Sequence, residues 1–155
     1  MHPKISIILS TYNEGYIIEK TLKSIFDNIT NVEVIIVDDS SIDDTCKKIK
    51  DFNNPNIKLF IRKERGLASA FLLGLINTNG SIIGWFDSNM PKLFEQTSEM
   101  LSELEQSDIV LLSRYVDGGS DERVFIRVFC SKLINSFCRL ILSNKIRDYT
   151  SSIFI

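Results

Sequence analysis

Asp87-Ser88-Asn89 places a carboxylate and an amide oxygen two residues apart in what reads as a short turn. Both can face one hard cation, because Mg²⁺ or Mn²⁺ prefers oxygen ligands and completes its shell with substrate phosphates. The plainer use of the same tripeptide is an Asx-turn leading into a helix at Pro91. Asp38-Asp39 sets two carboxylates side by side, which repel unless each has a task. Asp39 suits hydrogen bonds to a base or ribose, and Asp38 suits holding the loop or a metal. Both could instead cap the following helix, although Ser40, Ser41, Asp43 and Asp44 already offer caps. Arg114 precedes Tyr115 and the run Asp117-Gly118-Gly119-Ser120. A guanidinium there can grip a phosphate bidentately or enter a surface ion pair.

A second pattern lies between Val124 and Leu142. Arg127, Ser131, Asn135 and Arg139 recur every four residues, so on a helix they form one thin polar stripe. Phe129, Leu133, Phe137 and Leu140 are among the apolar residues of the opposite face. The expectation is that this face packs in the core or lies near lipid, with the cationic stripe aimed at phosphates. Other chemistries find little support. The one histidine, His2, is terminal, so no Ser-His-Asp or Cys-His arrangement can be built elsewhere, and no role is assigned to it. Gly66, Gly74 and Gly80 do not form a nucleotide-binding glycine fingerprint.

These residues need elements to position them. Ile5 to Leu9 and Val32 to Val37 are compact, nearly all-apolar runs, as in strands covered on both faces. Ile57 to Ile61, Ser81 to Phe86 and Asp108 to Ser113 read as further strands, and the chain ends near Ile155 in another. Ile18, Leu22, Ile25, Phe26 and Ile29 follow helical spacing. Leu67 to Ile76, a stretch from Pro91 to about Gln106, and Val124 to Leu142 are helical as well. The alternation predicts an α/β fold with a mainly parallel sheet. Ligands bind outside the carboxyl ends of such strands. Tyr12 and Glu14, Asp38 and Asp39, Asp87 and Asn89, and Arg114 each fall just after a strand, so one rim is expected to collect them.

Composition narrows the class. With 155 residues, 44% hydrophobic and 25% charged, the chain suits a single domain, residues 1–155, with a full core. Eighteen basic against twenty acidic side chains argue against a broad basic surface for nucleic acid. Cys46, Cys130 and Cys138 cannot all pair and lack metal-type spacing, which points to buried thiols in a reducing compartment. The apolar run after Lys4 is too brief for a secretory leader, and no stretch approaches the roughly 20 apolar residues that cross a bilayer. A cytoplasmic protein is expected, with peripheral contact at the cytosolic membrane face.

The motifs are familiar in order. Ser6-Ile7-Ile8-Leu9-Ser10-Thr11-Tyr12-Asn13-Glu14, then Val37-Asp38-Asp39-Ser40-Ser41-Ile42-Asp43, Asp87-Ser88-Asn89 and Ser113-Arg114-Tyr115 resemble the inverting family-two glycosyltransferases with the GT-A fold. Gly118-Gly119, Arg127, Ser131 and Arg147-Asp148-Tyr149-Thr150-Ser151-Ser152 resemble the dolichyl-phosphate mannose synthase branch. The resemblance implies a Rossmann-like three-layer sandwich. It implies a nucleotide-sugar site at Ser10, Tyr12, Glu14, Val37 and Asp39, with metal and diphosphate contacts at Asp87, Ser88 and Asn89. Arg114, Arg127 and Ser131 would contact donor or acceptor phosphates.

Three positions depart from the family pattern: Ser10 replaces a usual proline, Asn89 replaces a second aspartate, and Ser152-Ile153-Phe154 replaces Gly-Phe-Arg. Relatives continue for several dozen residues, so a C-terminally incomplete domain is expected. The implied activity is transfer of a hexose from a nucleotide sugar, GDP-mannose or UDP-glucose, to a polyprenyl phosphate with inversion. It would use Mg²⁺ or Mn²⁺, and Asp87, Arg114 and Arg127 would carry the chemistry. A non-catalytic nucleotide-sugar-binding or scaffold protein is the rival expectation, and a hexose transferase to a sugar hydroxyl stands behind it.

Overall fold

Two strands buried on both faces organise the molecule. In the computed structural model β1 (Ile5–Thr11) and β2 (Val32–Asp38) lie side by side at the centre of the sheet. The structure describes residues 4–116, 124–151 and 153–155. His2, the Asp117-Gly118-Gly119-Ser120 run and Ser152 lie outside the described residues.

β3 (Ile57–Ile61) and β4 (Ile82–Asp87) flank the central pair, giving a parallel four-stranded sheet of order β3-β2-β1-β4. The pairing brings Ser10 opposite both Val37 and Asp87, and Thr11 opposite Asp38, so the strand ends finish level. Alternate residues serve the two faces. Ile7, Leu9, Val34 and Ile36 pack with Ile18, Leu22 and Ile25 of α1 (Ile18–Asn28). Ile49 of α2 (Thr45–Asp51) and Met100 of α4 (Thr97–Glu103) join the same core. Ile8 faces the other way, against α3 (Leu67–Leu75). A Cβ on Gly74 would lie 2.4 Å from the Ile8 Cγ2, so glycine is what lets α3 sit this close. Helices on both faces of a parallel sheet make the expected three-layer α/β arrangement.

Three expectations need correction. The stretch after Pro91 is a 3₁₀ turn, Pro91–Gln96, followed by the separate α4, which ends at Glu103. Residues 108–113 do not form a fifth strand beside β4. Residues 153–155 run antiparallel between the two: Trp85 and Phe154 exchange backbone bonds at 2.8 and 3.1 Å, and Val110 and Ile155 at 2.9 and 3.0 Å. The segment is drawn in because its side chains have somewhere to go on each face. Ile153 and Ile155 enter the main core, while Phe154 sits edge-on to Phe71 and Trp85.

The third correction concerns α5 (Phe125–Ile141). The middle of its polar stripe, and not its apolar face, is turned inward: Ser131 and Asn135 are its buried residues, while Arg127 is exposed and Arg139 half-buried. Phe125, Phe129, Leu133, Phe137 and Leu140 are all more than half exposed. The reason is the partner. Asn135 accepts from the Tyr149 N–H at 2.5 Å and donates to Asp148 at 3.3 Å, bonds that a leucine face cannot make.

At the amino ends of the strands Glu33 is buried with its carboxylate fully engaged. It accepts from Ser6 Oγ and the Asn79 N–H, both at 2.6 Å, and from Lys4 and Lys58, both at 3.1 Å. Burial alone would raise its pKa. The bonds from Ser6, Asn79, Lys58 and Lys4 outweigh that and bring it down from 4.5 to about 2. A carboxyl lowered in the folded state stabilises fully above its unfolded value and progressively less as pH falls towards 2. We expect Glu33→Gln to lose about 2 kcal/mol at pH 7. Its urea midpoint should also fall less steeply than that of the unsubstituted chain between roughly pH 5 and pH 2. Equal slopes would show that Glu33 is not the group being titrated.

Candidate functional site

Two loops at the carboxyl end of the sheet are tied by one buried carboxylate. Asp38 accepts from Thr11 Oγ1 at 2.9 Å, from the Ser41 N–H at 2.7 Å and from Ser41 Oγ at 2.5 Å. These bonds hold the loop, the first of the two tasks that the sequence suggested for Asp38. Further bonds run between the same loops: Asn13 N–H to Ser41 Oγ, Ile42 N–H to Asn13 Oδ1 and Glu14 N–H to Thr45 Oγ1. Asn13 and Ser40 take left-handed backbone, φ 55° and 57°, which turns the chain sharply at each strand end. Neither Ser40 nor Ser41 caps α2. Ser40 donates to the Arg62 carbonyl at 2.8 Å instead.

Between these loops and the end of β4 lies a cleft of about 240 Å³. Ser10, Tyr12, Glu14, Asp39, Asp87, Ser88 and Asn89 line it, together with Thr11 and Leu67. Asp39 and Asp87, delivered by separate strands, thus share one opening. Ser88 is buried and anchors the β4 turn: its hydroxyl lies against the Ser10 carbonyl and the Glu14 carboxylate, and its own carbonyl accepts from Thr21 of α1. Burial raises the Glu14 pKa. The bond from Ser88 opposes this, and the nearby charges of Asp87, Asp43 and Asp38 add to it.

The donor set is all oxygen. No group of three or more His, Cys, Asp or Glu side chains among the described residues could by itself hold a metal ion. Asp87 with Asn89 offers one carboxylate and one amide, matching a Mg²⁺ or Mn²⁺ site that draws its remaining ligands from phosphate and water.

Four expected site residues lie elsewhere. Val37 is fully buried within the sheet, opposite Ser10, and does not line the cleft. Arg127 is exposed near the start of α5, and Ser131 is buried one turn further on. Arg114 is not positioned by a parallel strand end. It forms a bidentate pair with Asp148, at 2.8 Å from Nε and 3.1 Å from Nη2, and also donates to Thr150 at 2.9 Å. The Asp148 side chain is inaccessible, and burial would raise its pKa. Arg114 and Thr150 overcome that and lower it to about 2. Asp148 thereby joins Arg114 to Asn135 of α5.

Sequence reasoning also missed the third wall. Arg62 donates from Nε to Asp39 at 2.5 Å, and the Gly66 N–H reaches the other Asp39 oxygen at 3.2 Å. Gly66 has φ 146°, a conformation that L side chains rarely adopt. A glycine just before an apolar helix, with arginines ahead of it, was the available signal. Of the thiols, Cys130 is exposed, contrary to expectation, while Cys46 is partly buried and its pKa is pushed up to about 11 by desolvation and Asp38.

Residues 6–155 match the family model for Glycosyl transferase family 2. The chain belongs to glycosyl transferase family 2. A dolichol-phosphate mannosyltransferase of Pyrococcus furiosus is 33% identical over 155 residues, covering 94% of this chain and 43% of that protein. The chain therefore spans less than half the length of that relative. The mannosyltransferase PcManGT of Pyrobaculum calidifontis, solved in complex with GDP-Man and Mn²⁺, is similar at TM-score 0.54 and 29% identity over 57% of this chain and 28% of its own. Glucosyl-3-phosphoglycerate synthase of Mycobacterium tuberculosis shares the fold over 98% of this chain and 56% of its own, with TM-score 0.72 and 20% identity. Membership of glycosyl transferase family 2 agrees with the parallel α/β sheet.

Removing one partner of a buried pair leaves the other charge unmet, which is costly. Asp148→Ala should destabilise the chain by about 3 kcal/mol, read from the denaturant midpoint. Arg114→Ala should add little to it in the double variant. Full additivity would mean that the two side chains act separately.

Proposed function

We propose that this chain carries the donor cleft of an enzyme that moves a hexose from a nucleotide sugar to a polyprenyl phosphate with inversion. Mannose from GDP-mannose is the donor we favour. The observation that carries the reading is the convergence of Asp39, Asp87 and Asn89 on one cleft at the carboxyl ends of β2 and β4. The names of the Pyrococcus and Pyrobaculum proteins, a dolichol-phosphate mannosyltransferase and a mannosyltransferase with GDP-Man, support the donor and acceptor classes.

In the proposed reaction a phosphate oxygen of the acceptor forms a bond to the anomeric carbon. The bond from that carbon to the diphosphate oxygen breaks, and the nucleoside diphosphate leaves with the electron pair. An acceptor phosphate with a second pKa of about 6 is largely a dianion near pH 7 and needs no general base. Asp87 and Asn89 would hold a divalent cation, which when bound offsets charge on the departing diphosphate. Asp39, held rigid by Arg62 and Gly66, presents a fixed acceptor to the base or ribose. Arg127, near the start of α5, is the proposed contact for the acceptor phosphate. Arg114 acts as a positioning residue through Asp148, and a contact from Arg114 to phosphate belongs to the same proposal.

The outer face of α5 supports the lipid side. From Val124 to Arg147 the chain carries Arg127, Lys132, Arg139, Lys145 and Arg147 and no acid. Exposed Phe129, Phe137 and Leu140 accompany them, and a groove of about 510 Å³ runs beside Leu133, Phe137, Leu140 and Arg139. A basic, apolar helix face of this kind suits the interface of an anionic bilayer. No described helix is long and apolar enough to cross one. Asn89, a neutral ligand, favours one second reading: nucleotide-sugar binding without transfer.

Calorimetry with GDP-mannose should show affinity that depends on Mn²⁺ or Mg²⁺. Asp87→Ala should abolish the metal-dependent part, and Asn89→Asp should tighten it by restoring a charge. No nucleotide binding with either metal would end the donor reading. Binding of GDP-mannose without transfer of labelled sugar to a short polyprenyl phosphate would select the second reading.

A further inference from the structure

Among the described residues, the cleft has no basic lining. Glu14, Asp39 and Asp87 line it and no described basic side chain does, while Arg62 is engaged with Asp39 and Arg114 with Asp148. A nucleoside diphosphate adds negative charge to three gathered carboxylates, and one divalent cation does not offset all of it. A cation at the rim would lower that repulsion.

Arg65 stands there. Its guanidinium carbon lies 4.1 Å from the centroid of the Tyr12 ring, and Nη2 donates to the Tyr12 hydroxyl at 2.5 Å. Arg65 is exposed and enters none of the ion pairs found among the described residues. Its backbone is nevertheless well placed. Arg62 on one side binds Asp39, Ser69 and the Gly66 carbonyl, and Gly66 on the other binds Asp39 again. The loop is therefore fastened to the cleft wall on both flanks of Arg65. Exposed contacts between a cation and an aromatic face are weak, whereas guanidinium–phosphate pairs are charge-assisted and stronger. A phosphate at the rim would draw Arg65 off the ring.

We propose that Arg65 is a donor-binding residue that leaves the Tyr12 ring to grip the diphosphate of a nucleoside diphosphate in this cleft, uncovering the ring for the base. This rests on the donor reading of the cleft. Leu67 would then close the wall beside the base.

The test is titration of the chain with GDP and with UDP in the presence of Mn²⁺, across a salt series, for the unsubstituted chain, Arg65→Lys and Arg65→Ala. Thermal melts should coincide, because Arg65 is exposed. We expect Arg65→Ala to weaken both diphosphates by about 10- to 100-fold at low salt and to flatten the salt dependence. Arg65→Lys should recover part of each. Affinity within twofold for Arg65→Ala would overturn the assignment while leaving the donor reading standing. So would a loss of affinity with an unchanged salt slope, since that would place the residue on the base or in the loop. If the unsubstituted chain binds neither diphosphate, the donor reading falls and takes this inference with it.

Discussion

The register of the parallel sheet is the constraint on which the site depends. β1 lies between β2 and β4, and Ser10 pairs across to Val37 on one side and Asp87 on the other. Because side chains alternate across a strand, a slip of one residue would exchange the faces of a whole strand. Such a slip would push Ile8 out of its contact with α3 and move Asp87 off the level of the first loop. The buried hydrophobic sets of both faces therefore hold the acids of different strands at one height. Asp38 completes the arrangement by accepting three hydrogen bonds that join the first two loops.

The two ends of the same sheet handle charge in opposite ways. At the amino ends Glu33 is surrounded by a hydroxyl, an amide and two lysines, and its pKa falls to about 2. At the carboxyl ends Glu14 is buried near three aspartates, and its pKa rises. One end is electrostatically complete and behaves as structure. The other gathers like charges, which Arg62 offsets at Asp39 and which further positive charge would relieve. That asymmetry, more than any single motif, is what separates a site from a well-packed sheet end.

Much of this was legible in the chain. Continuous apolar runs gave away β1 and β2, and of the residues that the crevice rule grouped, Tyr12, Glu14, Asp39, Asp87 and Asn89 line one cleft while Asp38 and Arg114 do not. What escaped was whatever depends on long-range partners. The stripe of α5 has one periodicity whichever side faces inward, and the choice was made by Asn135 meeting Tyr149 and Asp148. Arg114 looked available because its partner lies 34 residues on. Residues 110–112 had strand-like composition, but a three-residue antiparallel segment at 153–155 took the place beside β4. Arg62 and Arg65 were overlooked because a polar loop with two arginines carries no periodicity to interpret.

The chain also divides its labour along its length. Every described residue lining the cleft lies at or before Asn89, and the pieces are joined by bonds among the loops after β1, β2, β3 and β4. The later part meets this body through Phe94, Met100, Ile153 and Ile155 in the main core and through the strand pairing of residues 153–155, while the knot of Arg114, Asp148, Thr150 and Asn135 ties α5 to the segments around residues 114 and 148–150. That knot sets where α5 stands, and with it Arg127, Ser131 and the basic apolar face. On the proposed reading α5, which carries the acceptor contacts, is aligned by a few buried polar bonds and not by a broad apolar seam. Polar bonds of this kind are directional and fail when one partner is lost, so they fix an orientation more sharply than contact area does. A helix whose apolar face is left outside needs such fixing, since burial of its leucines and phenylalanines cannot select how it sits on the sheet.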